Sequence, residues 1–94
     1  MQKEKKIRLT GKALKQLNED IHERDNYTCI ITGEYVPLGV KFHHVVRGAN
    51  KEDKIECGVT LSYRAHIDAH SSRAQDYRER CEEYLRGIYG ERDE

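Results

Sequence analysis

Ala13, Leu14, Leu17 and Ile21 recur at the spacing of one helical face, with polar residues between them. Thr10 is a good N-cap for that helix, and Asp25-Asn26 ends it after about Arg24. The pattern then changes. Tyr27-Thr28-Cys29-Ile30-Ile31 reads as a short β segment, followed by a turn at Thr32-Gly33-Glu34 and an irregular stretch carrying Pro37 and Gly39. Residues 40–46, VKFHHVV, form the first convincing strand, being rich in β-branched and aromatic side chains. A polar surface loop from Arg47 to Cys57 holds Gly48, Asn50 and six charged residues, and residues 58–61 (GVTL) follow as a second short strand. Ser62 can cap a helix that runs through His66 and His70. Ala74, Tyr77, Cys81, Tyr84, Leu85 and Ile88 then mark the buried stripe of another amphipathic helix, or a continuation of that one. Gly87 and Gly90 weaken its end.

Composition limits what these elements can build. Ninety-four residues make one small domain, and apolar and charged residues each account for 36% of it, so the core is thin. A chain this short buries only about 60–65% of its unfolded surface. A bound metal would therefore stabilise the fold as well as serve chemistry.

The formal net charge is zero, but its distribution is uneven. Lys3, Lys5, Lys6, Arg8, Lys12 and Lys15 stand against Glu4 alone in the first fifteen residues, while residues 79–94 carry six acidic groups against three arginines. A basic arm over residues 1–9 suits a polyanionic partner, although a solvated charged end explains it equally well. Cys29, Cys57 and Cys81 are odd in number and form no CxxC pair. There is no signal-peptide pattern and no apolar run of membrane-spanning length. The expectation is a reduced, cytoplasmic protein with no membrane partner.

Four of the five histidines lie in two tight groups, His43-His44 and His66 with His70. The second pair is spaced i, i+4 and shares one helical face, where it could hold one metal ion. Many helices carry that spacing with no ligand. His43 and His44 are neighbours on a strand, so their side chains leave opposite faces. One imidazole can then face a metal while the other faces a reacting water. That division suits metal-assisted phosphodiester hydrolysis, in which one histidine stays free of metal to act as a base. A structural metal site without catalysis is the plainer reading, and the fourth imidazole weighs against it. His22 reads as a surface histidine on the first helix, Cys57 as a partly buried thiol, and the tyrosines as core or interface residues.

Residues 40–44, Gly58-Val59-Thr60-Leu61 and His66-Ile67-Asp68-Ala69-His70 together resemble the HNH nuclease motif, the ββα-metal or His-Me finger. Arg24-Asp25-Asn26-Tyr27-Thr28-Cys29-Ile30-Ile31-Thr32-Gly33 is similar to the segment that commonly precedes that motif, and the HxxxH element is especially similar to that of the nuclease colicins. The resemblance covers roughly residues 24–70. It implies an α+β domain over residues 10–90, with a ββα-metal core and flanking N- and C-terminal helices, the latter at about 72–89. It implies His44 as general base, His43, His66 and His70 as ligands of one divalent ion, and double-stranded DNA as substrate, nicked or cut to leave 5′-phosphate and 3′-hydroxyl ends. Arg47, Lys54 and Arg64 are the candidate phosphate contacts.

Two positions depart from the family pattern. Its middle Asn, which braces the loop behind the general base, falls at Cys57, and a thiol cannot both donate and accept as an amide does. Either Asn50 or another group braces the loop, or the site is less ordered and slower. The four-cysteine zinc site of many relatives keeps one of its positions around Cys29, Thr32, Ser62 and Ala65, so no structural zinc is expected. Three imidazoles suit Mn, Co, Ni or Zn better than Mg, and manganese is expected to support activity best. Asp68 is expected to face away from the two helical histidines. The alternatives are a non-catalytic, metal-dependent DNA-binding module, and an interaction domain using an exposed stripe on the last helix. Oligomeric state and sequence preference are left open.

Overall fold

Helix α1, Gly11–Arg24, forms where the apolar spacing predicts it, with Leu17 and Ile21 on its buried side. It ends through two successive left-handed residues, Asn26 and Tyr27, as the Tyr27 amide donates back to the His22 carbonyl at 2.7 Å. In the computed structural model, which describes residues 8–45 and 52–90, the remaining elements are β1 (His43–His44), β2 (Gly58–Val59), α2 (Tyr63–Ala69) and α3 (Ala74–Tyr89), with a 3-10 turn at Ile55–Cys57. The architecture is mixed α+β. The two strands pair antiparallel, His43 opposite Val59 and His44 opposite Gly58. No helix of the described residues is long and apolar enough to cross a membrane.

Both strands are shorter than the sequence pattern predicts, and competing hydrogen bonds explain why. Past Val59 the backbone of Thr60 is taken elsewhere: its amide donates to Asp25 at 2.9 Å and its carbonyl accepts from the Ile30 amide at 3.1 Å. At the other end, one further bond from the Val45 amide to the Cys57 carbonyl closes the hairpin. The predicted β segment at 27–31 is reduced to a single bridge between Thr28 and Tyr35, around a turn whose Gly33 has a φ of +82°.

Arg24 and Asp25 form the hub that joins these pieces. The guanidinium grips the Asp25 carboxylate at 2.7 and 2.9 Å, and donates to the carbonyls of Ile55 and Gly58 at 2.6 and 2.8 Å. Asp25 also accepts from the Tyr84 hydroxyl of α3 at 2.6 Å. Burial and this bond to a carboxylate push the Tyr84 phenol up to about 12. One ion pair, shielded from water, thus ties α1 to the hairpin and to α3.

The core lies in two patches. Val45, Val59 and Leu61 of the hairpin region pack with Ala65 and Ala69 of α2 and with Tyr77, Cys81 and Leu85 of α3. Leu17, Ile21 and Phe42 form the second patch, under α1. Helix α3 is separate from α2, with a turn at residues 71–73 between them, and its stripe is turned inward. The exposed stripe that an interaction domain would need is therefore not found: Tyr77, Cys81 and Leu85 are buried, and Ile88 is the exposed member. Burial pushes the Cys81 thiol up to about 12, with Cys29 adding to the shift. Cys81 is a protonated core residue at neutral pH.

Two other expectations are corrected. His22 is fully buried, not a surface residue: its Nδ1 lies 2.8 Å from the Asn18 carbonyl, and its Nε2 has no partner among the described residues. The buried side of α1 is wider than the Leu17–Ile21 stripe and takes in the residue that follows it. The stretch after Arg47 is not wholly a polar surface loop, because Asp53 is buried within it. Asp68 is held by α3, accepting from the Tyr77 hydroxyl at 3.2 Å.

Candidate metal centre and its neighbouring histidine

Side chains alternate along a strand, and in β1 the alternation falls between two histidines. His43 turns toward α2. Its ring meets that of His66 edge-on at 4.9 Å and that of His70 at 5.6 Å. The α2 helix that brings those two rings forward is started by Ser62, whose hydroxyl accepts from the Ala65 amide at 3.2 Å. Its inner face carries Ala65 and Ala69, small residues that let the helix lie close to the hairpin. His70 sits one residue past the end of α2, as its cap, yet its ring still stacks on that of His66 at 4.9 Å and 17°. Accessibility rises across the trio, from buried His43 through half-buried His66 to exposed His70.

One nitrogen from each of His43, His66 and His70 lies within 4.8 Å of the other two. Nitrogens bound tetrahedrally to one ion at about 2.0–2.1 Å are about 3.4 Å apart, so closing the cluster needs each side chain to move by about 1 Å or less. Three imidazole donors fit a borderline divalent ion such as Co, Ni or Zn, with one side open to solvent at His70. Among the described residues no other group of histidines, cysteines and carboxylates is gathered in this way.

His44 occupies the opposite face. Its ring tilts against Phe42 at 4.7 Å, and its Nε2 lies 2.7 Å from Asp53 Oδ1. Gly58 stands opposite it in the hairpin, and a Cβ there would meet the Phe42 ring at 2.5 Å and Ile21 at 2.9 Å. Only glycine lets Phe42 lie this close to β2. Asp53 accepts further from the Leu9 amide at 2.6 Å and from Arg8 Nε at 3.3 Å. Burial pushes this carboxyl up, but the bonds from His44, Leu9 and Arg8 outweigh it and hold the group below its usual range.

Nothing in the sequence marks Asp53 as part of a site. It stood among six charged loop residues, and nothing in its spacing distinguished it. The other predicted positions are dispersed. Arg64 is exposed on α2, and Lys54 is half-buried beside Glu52 at 3.5 Å. Arg47 and Asn50 lie outside the described residues. Cys57 is half-buried in the turn before β2, where its amide donates to the Lys54 carbonyl at 3.0 Å. The carbonyls of Ile55 and Gly58, on either side of it, are the two that Arg24 grips. No family model, curated protein or solved structure matches the chain.

Proposed function

We propose that this protein is a metal-dependent endonuclease of the HNH type, built on a ββα-metal core, which hydrolyses phosphodiester bonds in double-stranded DNA. The observation that carries the reading is the division of four histidines by one strand. Three imidazoles converge on one side, and the fourth lies on the other, hydrogen-bonded to a carboxylate. A structural metal site gains nothing from the fourth ring.

His43, His66 and His70 would hold one divalent ion, with manganese the best candidate. The ion would stabilise negative charge on the scissile phosphate and the leaving oxygen. His44 takes a proton from the attacking water as its oxygen bonds to phosphorus. The bond from phosphorus to the 3′ oxygen then breaks, that oxygen takes a proton from solvent, and the products carry 5′-phosphate and 3′-hydroxyl ends. Arg64, Lys54 and Arg47 are the candidate phosphate contacts. Cys57 stands where an HNH nuclease has Asn, and the Arg24 clamp on the neighbouring carbonyls supplies the bracing that the amide would give.

The test is plasmid relaxation with Mn, Mg, Co, Ni and Zn in turn, alongside His44→Ala. Cleavage in at least one metal is expected, and His44→Ala should lower it about 10²–10⁴-fold while metal affinity survives. DNA binding without cleavage in every metal would make the protein a metal-dependent binding module instead. Cleavage by His44→Ala at the wild-type rate would remove the base.

A further inference from the structure

We propose that Asp53 is a positioning residue for His44, fixing the ring as the Nε2–H tautomer so that Nδ1 is the nitrogen that accepts a proton. The inference deepens the nuclease reading and rests on it only for the use to which His44 is put.

A carboxylate accepts hydrogen bonds and donates none, so the nitrogen 2.7 Å from Asp53 Oδ1 is the one that carries hydrogen. The neutral imidazole then has its lone pair at Nδ1. The carboxylate itself cannot turn away. Its Oδ2 is engaged by the Leu9 amide at 2.6 Å and by Arg8 Nε at 3.3 Å, and both are groups that only donate. Asp53 is 4% exposed, so water does not compete freely for either oxygen. The ring is also held on its face by Phe42, whose own amide donates to Asn18 Oδ1 at 2.8 Å. Tautomer, ring plane and carboxylate are therefore set together, by residues from four separated parts of the chain.

The arrangement makes an unusual demand on substitutions. In Asp53→Asn the Leu9 amide and Arg8 still require an acceptor, so the amide oxygen takes the place of Oδ2. Its NH2 then faces His44 Nε2, which must become the acceptor, and the hydrogen moves to Nδ1. The proposed base nitrogen is blocked although the fold keeps nearly all its contacts. In Asp53→Ala the fold loses more, but His44 is free to sample both tautomers. Activity and stability should thus rank the two variants in opposite orders.

The experiment compares wild type, Asp53→Asn and Asp53→Ala by plasmid-cleavage kcat and KM, by thermal unfolding, and by nitrogen-15 spectra of the His44 ring in the metal-free chain at mildly alkaline pH. The expected kcat order is wild type, then Asp53→Ala, then Asp53→Asn, the last lower than wild type by up to about 10⁴-fold with KM little changed, the scale of losing the correct tautomer in a histidine–aspartate pair elsewhere. Stability should fall in the order wild type, Asp53→Asn, Asp53→Ala. The His44 ring should be Nε2–H in wild type and Nδ1–H in Asp53→Asn. If kcat follows stability, or if the ring spectrum is the same in Asp53→Asn as in wild type, the proposal is overturned. A wild-type chain that cuts no DNA in any metal would defeat the nuclease reading alone, because the ring spectra decide the role of Asp53 without any turnover.

Discussion

On one side of β1, His43 is buried against the rings of His66 and His70; on the other, His44 rests between Phe42 and the buried carboxylate of Asp53. The two residues are adjacent in sequence and chemically identical, so the difference lies wholly in what each face meets. The first face gathers three imidazole nitrogens, which suits a shared cation. The second gives a single imidazole an acceptor and an aromatic wall, which suits a ring held in one orientation. A strand two residues long therefore separates two kinds of chemistry by little more than its pleat.

Breaking the first face should have the largest effect. A chain kept at 100 times its metal Kd gains about 2.7 kcal/mol from the ion. For a domain of this size that is a rise in Tm on the order of 10–20 °C. His66→Ala should erase that rise in a melting experiment with and without Mn or Zn, whereas His44→Ala should keep it. An equal loss in both variants would mean that the faces are not separate.

Gly58→Ala tests the second face at its base. The new methyl collides with Phe42 and Ile21, and such overpacking typically costs about 1–3 kcal/mol. Denaturant unfolding should record that loss while metal affinity changes little, since neither contact lies on the His43 side. A fall in metal affinity as large as the fall in stability would contradict the division.

The smallest effect sharpens the comparison through pH. The Asp53 carboxyl is held below its usual range in the folded chain, so its contribution is present above the unfolded carboxyl pKa of about 3.9 and is lost as pH falls through the lower folded value. Asp53→Asn should be destabilised at neutral pH by about 1–3 kcal/mol, and the gap from wild type should narrow as pH drops below about 4. A gap that does not change with pH would show that the carboxylate charge plays no part.

Local pattern was enough to read some of this. Helix α1 and the cap at Ser62 follow from side-chain periodicity and capping chemistry, which act over a few residues. The split between His43 and His44 follows from the pleat of any strand, and the pairing of His66 with His70 from helical spacing. The extent of the strands was not legible, because Asp25 and Ile30 compete for the backbone of Thr60 from far along the chain. The burial of His22 is not legible for a similar reason: one residue beyond a helical stripe is exposed or buried according to what packs over it.

Residue types and short-range spacing determined which side chains could meet a metal and which one could not share it. Only the tertiary structure decided that His43 joins the pair from α2, because closeness across 23 residues depends on how tightly two small alanines let a helix pack. The same holds for Asp53. Its place in the sequence is that of one charged loop residue among several, and it is defined instead by three donors, two of them from the start of the chain, that converge on it when the chain folds. Strand alternation is a local property of the backbone; the partner that each face receives is set by long-range packing.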